Sequence, residues 1–121
     1  MQRIMLKSKL HNACITGANL NYEGSVTIDK ILMEKADILP HERVQIVNLS
    51  NGARFETYVI PGRPRAGEIM LNGPAARLGE DGDRIHIISY MMVHENELDV
   101  YKPRVLILNE RNAPVREKVA K

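Results

Sequence analysis

Gly24-Ser25 is the pair of residues best placed to do chemistry. It lies between a polar, turn-like stretch, Asn19 to Gly24, and a short β-branched segment, Ser25-Val26-Thr27-Ile28. A serine hydroxyl can attack the carbonyl of the residue before it and turn that amide into an ester, which opens backbone self-cleavage. A preceding glycine helps, because it has no Cβ to block attack and tolerates strained backbone angles. The same two residues also read as a turn glycine followed by a strand-edge serine. Taken alone, that plainer reading is the commoner one.

Other reactive side chains are scattered. His11, His41, His86 and His94 show no paired metal spacing, and each singly reads as a surface or satisfied core histidine. Cys14 is the only cysteine, which excludes an internal disulfide and any all-cysteine metal site. No phosphate loop, zinc spacing or dinucleotide fingerprint occurs. Lys9 and His11 are two residues apart, so a strand puts both on one face. By itself Lys9 reads as part of a solvated face, and Arg54 as a hairpin charge.

The elements that must position these residues are short strands with turn signals between them. Met5 to His11 alternates as a strand does. Ser25-Ile28 is a short strand, and Asp29 can cap a helix through Lys30-Ala36. Val44-Asn48 is followed by Asn51-Gly52, a hairpin signal, and by a return strand, Arg54-Ile60, stopped at Pro61-Gly62. Glu68-Leu71 is a short strand ending at Asn72-Gly73. Pro74-Arg77 suits one helical turn. Arg84-Tyr90 and Arg104-Leu108 are the remaining strands. Six or more strands with few helices to cover an open sheet predict a closed barrel or sandwich.

Length and composition narrow the class. The 121 residues are one domain's worth. Apolar residues make up 44% and charged residues 26%, as in an ordinary globular protein. With one Phe, four Tyr and no Trp, the core must be aliphatic. The longest apolar runs are four residues, Tyr90-Val93 and Val105-Leu108, far below the roughly 20 a membrane helix needs. The basic N-terminus lacks a signal peptide's apolar region, so a cytoplasmic protein is expected. The net charge of +2 comes from residues 111–121, where Arg111, Arg116, Lys118 and Lys121 face only Glu117. The near-neutral body does not support nucleic-acid binding, and residues 111–121 read as a flexible, solvated tail.

Residues of about 3–108 resemble the bacterial aspartate 1-decarboxylase family, pyruvoyl-dependent enzymes of pantothenate synthesis. The matching blocks are Met5-Leu6-Lys7-Ser8-Lys9-Leu10-His11, Tyr22-Glu23-Gly24-Ser25 with Ile28-Asp29, Asn51-Gly52 with Arg54-Phe55 and Thr57-Tyr58, Asn72-Gly73 with Ala75-Ala76, and Gly82-Asp83. They occur in order and need no shift in spacing. The resemblance implies a mainly β fold, a double-psi β-barrel with short helices, in a single domain spanning 1–121. It implies a homotetramer with active sites between subunits; from charge and apolar run length, neither nucleic acid nor membrane is expected as partner.

It also implies a proenzyme. Ser25 Oγ attacks the Gly24 carbonyl, the ester eliminates to dehydroalanine, and hydrolysis with loss of ammonia leaves a pyruvoyl group. The products are a β chain, 1–24, and an α chain, 25–121. The pyruvoyl ketone forms a Schiff base with the amine of L-aspartate and acts as electron sink for decarboxylation to β-alanine, with neither metal nor pyridoxal phosphate. Lys9 and Arg54 match positions that hold substrate carboxylates, Arg54 bidentately, and His11 is a third polar contact. Tyr58 matches the proton donor to the carbanion, and Thr57 a residue aiding self-cleavage and lining the site. Tyr22, Asn72, Gly73 and Ala75 match further lining positions. Pro74 departs from the family, which more often has Ala there, and lacks a backbone N–H. Thr57 and Tyr58 are adjacent, so a regular strand points them to opposite faces. Only a bulge or a site at a subunit boundary lets both serve one kind of site.

Two other readings separate on simple features. A non-catalytic barrel would fold without cutting itself, since fold does not guarantee function. A pyruvoyl decarboxylase for another amino acid, such as glutamate, would differ in pocket shape. Two cations, Lys9 and Arg54, favour a dicarboxylic substrate without counting its methylenes.

Overall fold

A computed structural model describes residues 1–119. Its nine strands are β1 (Gln2–Cys14), β2 (Gly17–Asn19), β3 (Ser25–Asp29), β4 (Arg43–Asn48), β5 (Arg54–Gly62), β6 (Ile69–Asn72), β7 (Arg84–His94), β8 (Arg104–Leu108) and β9 (Pro114–Val119). The helix α1 (Lys30–Lys35) and 3₁₀ turns at Gly73–Arg77 and Glu95–Glu97 complete the fold. The strands form one mixed sheet in the order β2-β6-β3-β5-β4-β7-β1-β8-β9. β1 pairs parallel with β8, β2 with β6 and β3 with β5, while the other pairs are antiparallel.

The sheet curls because β1 runs straight on into β2 at the opposite edge. Between them, the Thr16 N–H donates to the Ile69 carbonyl at 2.8 Å, and Thr16 Oγ1 accepts from the Ile69 N–H at 3.0 Å. The architecture is the mainly β, double-psi barrel expected. Its interior is aliphatic: Leu10, Ile28, Ile46, Ile69, Leu71 and Ile87 are fully buried, and Phe55 packs against them. Each such side chain contributes about 1.5–3 kcal/mol by leaving water. No helix among the described residues is long and apolar enough to cross a membrane.

Local chemistry explains most boundaries. Asp29 caps α1 through Oδ1, which accepts from the Ile31 N–H at 2.8 Å. The same carboxylate accepts from the N–H groups of Arg65 and Gly67 at 3.0 and 2.9 Å, tying the 63–67 loop to the helix start. The Asn51-Gly52 signal does mark the β4–β5 hairpin, but its loop has four residues. Asn48 pairs with Ala53 across it, and only Gly52 has a positive φ, 76°. β5 continues through Pro61 rather than stopping there. Its ladder with β4 ends at Tyr58, so Pro61 lies where β5 has only β3 as neighbour, and the missing N–H breaks no bond.

Two further expectations change. Residues 114–119, expected within a flexible tail, form β9. Arg104 pairs with Val119 and Ile107 with Arg116, and an Arg104–Glu117 ion pair of 2.9 Å fastens the outer edge. Residues 120 and 121 of that tail lie outside the described residues. β7 runs on to His94 because the N-terminal half of β1, from Gln2 to Leu6, pairs with His94 to Tyr90.

Candidate active site

Ser25 opens β3 with no exposed surface. Its Oγ accepts from Asn72 Nδ2 at 2.9 Å and donates to the Glu23 carbonyl at 3.3 Å. Asn72 stands directly opposite in the antiparallel β3–β6 ladder. Its amide also donates to Thr27 Oγ1 at 2.8 Å, so one NH2 group holds two hydroxyls on one face of β3. No imidazole or carboxylate is hydrogen-bonded to Ser25 Oγ among the described residues. The hydroxyl is therefore oriented by an amide, not activated by a neighbouring base.

The chain just before Ser25 is held by a glycine. Gly73 has φ +62°, and a Cβ there would stand 2.6 Å from the Tyr22 carbonyl oxygen and 2.7 Å from Gly24 N. No side chain fits that gap. A Cβ on Gly24 would meet Pro74 Cδ at 3.4 Å, so the departing proline touches the expected cleavage point through its ring. Ala75 is buried in the following 3₁₀ turn. Thus Tyr22, Gly24, Ser25, Asn72, Gly73 and Ala75 come together, although the Tyr22 side chain is half exposed. Thr27 was not among the expected site residues. Alternation along β3 gave its signal, since residues 25 and 27 share a face.

β5 supplies the next residues. Its parallel register with β3 sets Val26 beside Val59, which one step back brings Ser25 level with Tyr58. The ladder from Arg43–Tyr58 to Val47–Arg54 has no register shift. No bulge therefore reconciles Thr57 with Tyr58, and within one chain they face opposite ways. Arg54 and Tyr58 share the outer face. Arg54 Nη1 donates to Gln45 Oε1 at 3.1 Å, and Tyr90 OH donates to the same oxygen at 2.7 Å. The Tyr58 ring packs 6.3 Å from His41.

Lys9 and His11 lie elsewhere, on the outer face of β1. The register aligns Lys9 with Val105 and Lys118, and His11 with Ile107 and Arg116, across β1, β8 and β9. These rows flank an open groove of about 410 Å³, whose floor is aliphatic and whose lining contains no carboxylate. Neither Ser25 nor Asn72 reaches it. The chain therefore carries a serine cluster and a cation cluster apart from each other. The His11 ring stacks on His86 with centroids 4.1 Å apart. Burial, with the Lys9 charge second, lowers the His11 pKa below its ordinary value. Burial first, then Lys9 and His11, pushes His86 down to about 4. His86 was passed over because a lone histidine on a strand gives no sign of what it stacks on.

A family model described as aspartate decarboxylase matches residues 1–115. The chain is 57% identical to an aspartate 1-decarboxylase of Thermoanaerobacter pseudethanolicus over 115 residues, covering 95% of this chain and 98% of the relative. It is 56% identical over 108 residues to one from Clostridium beijerinckii, covering 89% and 87%. It is 53% identical over 112 residues to one from Bacillus subtilis, covering 93% and 88%.

Proposed function

The chain belongs to the aspartate decarboxylase family, and from that premise we propose that it decarboxylates L-aspartate to β-alanine through a pyruvoyl group made from its own Ser25. The β-alanine serves pantothenate synthesis. The observation that carries the pyruvoyl reading is the hold on Ser25: a fully buried hydroxyl fixed by Asn72, beside a Gly24 seated against Gly73. Those residues fit such a group. Asn72 and Thr27 offer polar atoms at the Ser25 side chain, and the missing Cβ at Gly73 lets the backbone of Tyr22 and Gly24 approach closely.

Self-cleavage needs the Ser25 oxygen and the Gly24 carbonyl brought into line. Oγ adds to that carbonyl and the C–N bond breaks, so the amide becomes an ester. Loss of the Ser25 Cα proton and cleavage of Cβ–Oγ then free chain 1–24 as a carboxylate. The dehydroalanine left behind takes up water and releases ammonia to give the pyruvoyl group. Asn72 directs the hydroxyl, and Thr57 steadies the carbonyl under attack. The pyruvoyl carbonyl supplies the electron sink an α-decarboxylation requires. The remaining work falls to the protein. Lys9, His11 and Arg54 hold the carboxylate that stays, Arg54 by its two-pronged guanidinium. Tyr58 returns a proton to the carbon that loses CO2. Tyr22, Asn72, Gly73 and Ala75 line the space around the substrate.

The separation of the Lys9 groove from Ser25 supports an assembly in which one subunit's cations face a neighbour's serine cluster. A homotetramer in the cytoplasm meets that need, and it places Thr57 and Tyr58 at a subunit boundary, where both faces of β5 can act. The acid-free, cation-lined groove favours a substrate with two carboxylates.

Denaturing intact mass is the test. Two chains cut at Gly24-Ser25 are expected, the larger lighter than a serine-started chain by the serine-to-pyruvoyl change. A single chain of full mass that nevertheless turned over aspartate would overturn the pyruvoyl reading.

A further inference from the structure

His86 touches no reacting atom, yet it packs against His11, read above as a substrate contact. β1 places two residues, His11 and Asn12, where β7 places only His86: the pairing runs through Leu10–Ile87 and resumes at Ala13–Ile85. Two residues facing one make a β-bulge, which bends the strand and re-aims its side chains. Asn12 takes φ 62°, in the left-handed region. Its N–H is met by a side chain, donating to His86 Nδ1 at 3.1 Å. The same His86 ring stacks on His11, inclined by 16°. One imidazole thus caps the bulge and backs the ring that the bulge has re-aimed. A neutral ring whose Nδ1 accepts carries its proton on Nε2.

We propose that His86 is a positioning residue for the reaction, capping the β1 bulge through Asn12 and holding the His11 imidazole, with Lys9 beside it, in the orientation that meets the substrate carboxylate. The proposal rests on the reading of Lys9 and His11 as substrate contacts. The groove beside His11 carries Lys9 on β1 and Arg116 and Lys118 on β9 and no carboxylate, and Arg54 on β5 stands in the cross-strand row of His86, beyond Val47. β8 offers only Val105 and Ile107, and β4 sets Val47 opposite His86. A ring that stays neutral at pH 7 suits this place, because it supports His11 without adding a positive charge beside Lys9.

The Ser25→Ala chain, expected to stay uncut, allows the histidines to be titrated by NMR without turnover. His86 is expected to keep an unprotonated Nδ1 at pH 7, and His11 to titrate below its ordinary value. Adding His86→Ala should move the His11 midpoint upward and speed exchange of the Asn12 amide. In the cleavable protein, His86→Ala should raise the KM for aspartate about fivefold, the equivalent of one neutral hydrogen bond, with kcat changed less than about twofold. His86→Gln, whose amide can still accept from Asn12, should recover part of that loss, and the cut at Gly24-Ser25 should proceed as before. An unchanged His11 midpoint and an unchanged KM in His86→Ala would overturn the proposal. If that variant does not fold, His86→Phe keeps a stacked ring and removes the acceptor. Faster Asn12 exchange with a displaced His11 midpoint then supports the role, and parent-like values sink it. An uncut, inactive parent would count against the reading of Ser25, and the titration in Ser25→Ala would still decide the role of His86.

Discussion

Asn72 gives its one amide to two hydroxyls, so shortening it separates aiming the nucleophile from merely burying it. Asn72→Ala should leave the barrel folded and slow the appearance of chain 1–24 by about tenfold or more, the scale of one misdirected hydroxyl in a buried site. A time course of intact masses reads this directly, and cutting at the parental rate would free Asn72 from the role. Tyr58→Phe makes the opposite separation: the cut should be complete while decarboxylation falls by about a hundredfold or more. Normal turnover would remove Tyr58 as proton donor. Gly24-Ser25 became legible only through the blocks around it, because a turn glycine before a strand serine is ordinary. Thr27 was readable from alternation alone. His86 was not, since its meaning lies in a β1 bulge 74 residues earlier in the sequence that no local pattern announces.

The elements hold these residues through a few buried polar ties. Asn112 is 2% exposed and has φ 60°. Its Oδ1 accepts from the Cys14 N–H at 2.7 Å, and its Nδ2 donates to the carbonyls of Cys14 and Gly67 at 2.8 Å each. It thereby joins the end of β1, the 63–67 loop and the turn into β9. Asn112→Ala should cost about 2–4 kcal/mol, since several backbone groups lose partners together, and urea unfolding of the Ser25→Ala chain measures it. Glu42 ties β1 to β7 by accepting from Lys7 Nζ at 2.7 Å and from Ser89 Oγ. Burial alone would raise its pKa, but hydrogen bonds from Lys7, Ser89 and the Leu39 N–H carry it below the ordinary 4.5. An acid depressed in the fold adds stability that is present above its unfolded pKa and lost as pH falls through the folded value. Stability should therefore decline below about pH 4.5, and Glu42→Gln should flatten that limb in a pH series of thermal midpoints. Most strands were legible from alternation and turn residues, as β4, β8 and the hairpin between β4 and β5 illustrate. β9 was not, because Arg116 and Lys118 look like a solvated end until Ile107 and Val105 are seen beside them.

At the scale of the whole molecule, the proposed division of the site between subunits makes a prediction no single chain can. Lys9→Ala and Ser25→Ala chains, each inactive alone, should recover activity when co-expressed, with about a quarter of the sites intact for random association. No recovery in verified mixed assemblies would place all the groups on one subunit. The position of β1 carries a separate consequence. A cut after Gly24 releases from covalent attachment the very strand that lies between β7 and β8 and that buries Leu10 and Ala13. Before the cut, that strand reaches its place as part of the same polymer. Afterwards it is a separate molecule, and folding acquires a second reactant. Folding must therefore come first and the cut second. Protein denatured after the cut should regain its shape with a yield that falls more steeply on dilution than that of Ser25→Ala. The cleaved barrel depends on its own history: it can be made once in order and is not readily remade from its parts.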